Sequence, residues 1–383
     1  MPAPGMSSAA RSSLRSLKRA ITLAPHSSVA ARSCSSPFIA TAAATTPAAR
    51  WSSSTSSPST GSIHQSEIEH FSRLAAQWWD PHGEFATLHA MNPVRIRFLR
   101  SKIEEVRNWD AALKSAELRK IKGKDRSSTY EEQEQLDAVS SRVGSASFLE
   151  GLDVLDVGCG GGFFSEALTR LGARTLGIDA ASSNIQVARA HAALDPALVP
   201  PTEANSSSEA SSSSPSLQYL DCTAEALLDE RGPGSFDVVC AMEVIEHVRN
   251  PSDFLRTLSQ LVKPGGHLVL STISRTPFAR FITITMAEHV LRQVSPGTHT
   301  YSQYIKPEEL QEFVSKDPSA GGLGWNASSS LPNTPERLRM EVRGTAYLPW
   351  KSAWQLADRN ASPVWSQQAN YFFWARKPFS SHQ

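Results

Sequence analysis

Leu152-Asp153-Val154-Leu155-Asp156-Val157-Gly158-Cys159-Gly160-Gly161-Gly162-Phe163-Phe164 is the stretch whose reading decides the fold. An apolar run of strand type ends at Asp156-Val157 and breaks into a glycine turn, after which Phe163 to Leu171 suits a helix. Glycines permit unusual dihedrals and let a ligand approach the backbone with no Cβ in the way. A dinucleotide fingerprint needs a glycine at its sixth position, and Phe163 stands there. The plain alternative is a structural strand-to-helix turn.

Asp156-x-Gly158-x-Gly160 resembles the first motif of class I S-adenosyl-L-methionine (SAM) methyltransferases. The next strand-like run, Arg174-Thr175-Leu176-Gly177-Ile178-Asp179, ends in an acid 23 residues beyond Asp156. An acid at the tip of a second parallel strand can accept hydrogen bonds from ribose hydroxyls. That geometry serves NAD and SAM alike, so Asp179 indicates a nucleoside ligand and leaves the reaction open.

The remainder of the chain frames this core. The first 66 residues carry Arg11, Arg15, Lys18, Arg19, Arg32 and Arg50, and no acid precedes Glu67. Leu14, Leu17 and Ile21 face away from the basic positions, as in a mitochondrial transit peptide. A disordered basic tail or a chloroplast signal are the alternatives. The whole chain has a formal charge of +1, which gives no nucleic-acid footprint. Cys34, Cys159, Cys222 and Cys240 lack CxxC spacing and read as reduced. No apolar run is long enough to span a membrane.

Strands are expected near 153–157, 174–179, 217–220, 236–240, 267–272, 338–347 and 370–376, alternating with helices through the central part. Asn92 is expected to cap a helix with Pro93 in its first turn. A polar insertion is expected over 122–147. A second, over 195–216, is expected to be disordered, because eight of the eleven residues from Ser206 to Ser216 are serine. The expectation is an α/β class I methyltransferase fold: a Rossmann-like, mostly parallel seven-stranded sheet with an antiparallel edge strand and helices on both faces. Its divisions are a transit peptide over 1–60, a helical cover over 61–147 and a methyltransferase domain over 148–383.

Met242-Glu243-Val244-Ile245-Glu246-His247 follows the fourth strand. If helical, it places Glu243, Glu246 and His247 on one face, where they can hold a divalent cation. Carboxylates favour magnesium or manganese, and the imidazole also suits zinc or iron. The plain alternative is a solvated helix face.

Seven motifs then occur in order: Trp78-Trp79-Asp80, Gly83-Glu84-Phe85, Leu88-His89, Asn92-Pro93-Val94-Arg95, the glycine turn, Glu243-Val244-Ile245-Glu246-His247 and Gly297-Thr298-His299. Together they resemble the ubiquinone-biosynthesis O-methyltransferases over about residues 63–376. The resemblance implies SAM-dependent methylation of polyprenylated catechols, a dihydroxy-polyprenylbenzoate and a demethylubiquinol. It implies Arg95, Gly158, Asp179 and Met242 as SAM contacts, and Glu243, Glu246 and His247 as ligands of magnesium (Mg2+) and as the catalytic set. It also implies membership of a multi-subunit ubiquinone-biosynthesis complex and peripheral contact with the matrix side of the mitochondrial inner membrane. His299 can assist as a base, although a local structural role is the favoured reading. Residues 277–294 carry Phe278, Phe281, Ile282, Ile284, Met286, Val290, Leu291 and Val294 among Arg280 and Arg292, and read as a membrane-surface helix, an internal lid, or both. The competing readings are a methyltransferase of another small molecule, a catalytically silent scaffold and a nicotinamide dehydrogenase.

Overall fold

The computed structural model describes residues 65–122, 145–198, 214–325 and 334–379, with side chains described only to 117 in the first of these segments. The presequence-like opening lies outside them, as do most of the first polar insertion and the serine run.

Eight strands form one sheet in the order β3-β2-β1-β4-β5-β8-β6-β7. The parallel part comprises β1 (Asp153–Val157), β2 (Arg174–Asp179), β3 (Ser216–Asp221), β4 (Phe236–Met242) and β5 (Val262–Ile273). The order reverses between β1 and β4, which opens a crevice at their C-terminal ends. The antiparallel part comprises β6 (Met340–Leu348), β7 (Ala353–Leu356) and β8 (Asn370–Arg376). The doubly wound class I arrangement is therefore as expected, with one correction. The sheet has an eighth strand, β7, and the antiparallel section is three strands wide.

Side chains alternate through β1 because successive Cβ atoms point to opposite faces. Leu155 and Val157 join a core with Phe254, Leu258 and Phe373, whereas Val154 joins the opposite core with Phe98, Phe164 and Trp374. Helices cover both faces. They are α1 (Gln65–Leu74), α2 (Ala86–Lys122), α3 (Phe163–Arg170), α4 (Ser182–Ala192), α5 (Ala224–Arg231) and α6 (Pro251–Leu261). Further on come α7 (Pro277–Arg280), which runs on as a π-helical segment over Phe281–Val290, and α8 (Pro307–Ser315).

The structure corrects two local expectations. Helix α2 begins at Ala86 and carries Pro93 inside it, so Asn92 is not its cap. Met91, Val94, Phe98, Leu99, Ile103 and Val106 bury one face of α2, and that packing outweighs the cost of an interior proline. Asn92 instead donates from Nδ2 to the Phe163 carbonyl at 3.1 Å, tying α2 to the start of α3. The second insertion is also shorter than expected: Leu198 is buried in a small core with Ile185 and Tyr219, and β3 begins at Ser216.

Candidate active site

The turn after β1 is built from glycines because of what lies against it. Gly158, Gly160 and Gly162 have φ of 69°, 54° and 85°. A Cβ at Gly158 would stand 2.6 Å from Val244 Cγ2. The Gly158 and Cys159 N–H groups donate to the Ile178 carbonyl at 2.8 and 3.0 Å, holding the turn against the end of β2. Trp79 Nε1 donates to the Gly161 carbonyl at 2.9 Å, and Trp78 Nε1 donates to Asn184 Oδ1 at 2.9 Å. Trp78 stacks on Phe85 with ring centroids 3.7 Å apart. The tryptophan pair before α2 thus clamps the glycine turn from outside.

Asp179 ends β2 with both oxygens engaged. Oδ2 accepts the Gly160 N–H at 2.9 Å, and Oδ1 accepts the Ala181 N–H at 2.8 Å and Asn184 Nδ2 at 3.2 Å. Burial is the main cause that raises its pKa, the Ala181, Gly160 and Asn184 hydrogen bonds oppose, and Asp221 adds to the rise. A carboxylate oxygen has lone pairs for further donors, so Asp179 can meet a ribose while holding the turn. Asp156, buried under the turn, accepts Ser165 Oγ at 2.6 Å, and its pKa is raised to about 7, first by burial.

One cavity of about 590 Å³ runs along the sheet crevice. Arg95, Gly158, Asp179 and Met242 all line it. Arg95 is 2 % exposed and its Nε has no partner. Burial pulls the pKa of its guanidinium down, opposed by the charges of Glu243, Asp156 and Glu246. A buried fork donor with a spare N–H suits a ligand carboxylate. Met242 is buried at the end of β4.

Glu243, Glu246 and His247 line the same cavity, but not as the face of one helix. Glu243 takes a left-handed φ of 57° directly after β4, and only Ile245–His247 form a short 3-10 turn. A non-glycine residue there is uncommon and such backbones gather at functional sites. The Glu243 N–H is held by the Ser271 carbonyl at 3.0 Å and Ser271 Oγ at 3.1 Å. Glu243 Oε2 accepts Asn370 Nδ2 at 3.1 Å, while its buried Oε1 has no partner. Glu246 is buried and accepts Thr272 Oγ1 at 2.8 Å. Burial and then the Glu243 charge push its carboxyl above the usual range. His247 Nδ1 meets Glu67 Oε2 of α1 at 3.0 Å. Burial alone would lower the His247 pKa; the Glu67 hydrogen bond and the charges of Glu246, Glu67 and Glu243 raise it.

Among the described residues, no three His, Cys, Asp or Glu side chains already converge as a metal-holding group. The donor chemistry nevertheless fits a hard divalent cation. Two crowded carboxylates, one with an orphaned buried oxygen, lose repulsion and gain a partner when a cation enters.

Sequence reasoning missed Glu67, Thr272 and Asn370, which reach His247, Glu246 and Glu243 from distant parts of the chain, and also Asn184 and Glu288, which support Asp179 and His299 from nearby. Residues 277–294 do form a wall of the cavity, through Phe278, Ile282, Thr283, Met286, Ala287 and Val294. Phe278, Phe281, Val290 and Leu291 are also exposed to solvent.

The comparisons with known proteins agree with this geometry. A family model described as a methyltransferase domain matches residues 126–316. The ubiquinone biosynthesis O-methyltransferase, mitochondrial, of Schizosaccharomyces pombe is 35 % identical over 84 % of this chain and 89 % of its own length. The ubiquinone biosynthesis O-methyltransferase of Caulobacter vibrioides is 40 % identical over 68 % of this chain and 82 % of its own. The mitochondrial relative of that name from Arabidopsis thaliana is 36 % identical over 80 % of this chain and 74 % of its own.

Proposed function

The chain belongs to the ubiquinone biosynthesis O-methyltransferases, and on that premise we propose that it methylates a hydroxyl of polyprenylated catechols with the help of a divalent cation. It is a SAM-dependent O-methyltransferase of ubiquinone biosynthesis, and it is mitochondrial like its fungal and plant relatives. The acceptors are a 3,4-dihydroxy-5-polyprenylbenzoate and a demethylubiquinol. One observation carries the catechol reading: the partnerless Glu243 oxygen and the crowded Glu246 sit in the cavity that also holds Arg95, Gly158 and Asp179.

Arg95 receives the methionine carboxylate of SAM, Gly158 lets the ligand approach the backbone, Asp179 accepts from the ribose, and Met242 packs against the bound donor. Glu243, Glu246 and His247 would hold Mg2+, with Nε2 as the ring nitrogen left once Nδ1 faces Glu67. When bound, such a cation lowers the pKa of a catechol hydroxyl and fixes its orientation. A free phenol, with a pKa of about 10, is a poor nucleophile at neutral pH. The residues then act by positioning: the acceptor oxygen is aligned with the sulfonium methyl, in a cavity lined on one side by residues 277–294.

No helix among the described residues is long and apolar enough to cross a membrane. The exposed Phe278, Phe281, Val290 and Leu291, beside Arg280 and Arg292, instead support a peripheral contact with the matrix face of the inner membrane. There the prenyl tail can enter from lipid. Membership of a multi-subunit complex is part of this reading, and the 1–60, 61–147 and 148–383 divisions remain its domain scheme. The direct test is methyl transfer from SAM to a prenylated catechol and to the same compound lacking one hydroxyl. Transfer to the catechol alone supports the reading, whereas equal rates on both would remove it.

A further inference from the structure

Residues 295–299 close over the cavity and are pinned more firmly than a loop needs. Glu84 accepts the Ser295 N–H at 3.1 Å and Ser295 Oγ at 2.6 Å. Thr298 Oγ1 lies 3.4 Å from His70 Nε2. The strongest anchor is Glu288, on the π-helical segment, whose side chain is 2 % exposed. Its Oε2 accepts the Gly297 N–H at 2.8 Å, and its Oε1 accepts the His299 N–H at 2.8 Å and meets Nδ1 at 2.9 Å. Burial would raise the Glu288 pKa, but the bonds from His299 and Gly297 hold its carboxyl below the usual range.

An ionised carboxylate has no proton to give, so the shared hydrogen sits on His299 Nδ1, and Nε2 is the ring nitrogen left to take a proton. A buried acid that fixes tautomer and ring orientation in this way is the support a general base needs. His299 lines the cavity together with Glu243, Glu246 and His247. The neighbouring Tyr304, edge-on to the ring, already shares its hydroxyl with Thr283 Oγ1 at 2.6 Å.

We propose that His299 Nε2 is the general base of the methyl transfer, with Glu288 as its positioning residue; this rests on the catechol reading of the cavity given above. As the acceptor oxygen forms its bond to the methyl carbon, the carbon–sulfur bond of SAM breaks and its electron pair stays on sulfur, giving S-adenosylhomocysteine. The hydroxyl proton passes to Nε2, and the imidazolium later releases it to solvent. The charge that appears on the ring is balanced by Glu288.

The test compares two acceptors, a prenylated catechol and its ring-nitrated counterpart, whose hydroxyl is already ionised at neutral pH. A base matters only for the acceptor that still holds its proton. His299→Gln keeps the loop filled and should lower kcat on the plain catechol about 100-fold, with KM for SAM unchanged and little loss on the nitrated acceptor. Glu288→Gln should lower kcat in the same acceptor-dependent way, by less. Equal losses on both acceptors would show a structural role only, and an unchanged kcat would show a spectator; either overturns the assignment. Failure of the catechol reading itself is separately visible, because the unmutated protein would then methylate neither acceptor.

Discussion

The indole of Trp78 fills the space that a side chain on Gly160 would need, so the tryptophan ring and the glycine turn specify one another. The two are 82 residues apart in the chain and meet because Trp78 Nε1 also bonds Asn184 at the start of α4. Gly160→Ala must displace the ring or distort a backbone held at φ 54°. Overpacking of this kind costs about 1–3 kcal/mol. The expected result is a lower melting temperature together with weaker SAM binding by calorimetry. A Gly160→Ala protein with parental affinity and stability would contradict the clamp.

Asp179 has two tasks, and substitution should separate them. Asp179→Ala removes the acceptor for the Gly160 and Ala181 N–H groups as well as the ribose acceptor. It should therefore weaken SAM binding and loosen the turn, not leave the fold untouched. The loss of a charged acceptor amounts to roughly 1.5–3 kcal/mol. Asp179→Asn keeps one acceptor oxygen and should retain more stability than affinity. Calorimetry alongside thermal melts checks the split, and parallel losses in both would argue against it.

His267 gives a pH dependence of stability. It sits on β5 with Nδ1 accepting Trp374 Nε1 at 3.1 Å. Burial and then Arg376, Arg107 and Lys102 lower its pKa from 6.5 to about 3. The neutral ring is favoured in the fold, so this contribution is complete above pH 6.5 and is lost as pH falls toward 3. Denaturant melts between pH 7 and 4 should show a shallower acid decline in His267→Gln than in the parent. Identical slopes would place the titration elsewhere.

The apolar rim near the cavity gives a binding prediction. Phe278→Ser/Phe281→Ser should lower sedimentation with anionic liposomes while leaving SAM affinity near parental, because both rings are about half exposed. Equal sedimentation of variant and parent would leave residues 277–294 as a lid alone.

How much of this was legible in the sequence follows from distance along the chain. The glycine turn, the acid ending β2 and the strand–helix alternation are local patterns, and each appears where its periodicity put it. Glu243 and Glu246 reach one cavity as their positions suggested, but through a left-handed residue and a 3-10 turn that no helical spacing foretells. The start of α2 was misread because Asn92-Pro93 is a fitting cap locally, and only packing against β7, β8 and α3, with Trp354 of β7 donating to the Thr87 carbonyl, decides otherwise. Glu67 meets His247 across 180 residues and Asn370 meets Glu243 across 127. Such pairs are set by topology, and neither carries a motif of its own. The short strand β7 pairs with β6 at the sheet edge and has a weak pattern, so it too was missed.

The measurement that bears most directly on the account is methyl transfer by the parent and by Glu243→Ala/Glu246→Ala, with EDTA and with added Mg2+, alongside calorimetric titration of Mg2+. The parent should lose activity in EDTA, regain it with Mg2+ and bind the ion. The double variant should bind SAM nearly as the parent does, show no Mg2+ heat and transfer no methyl under any condition. Full activity of the double variant in EDTA would contradict the account.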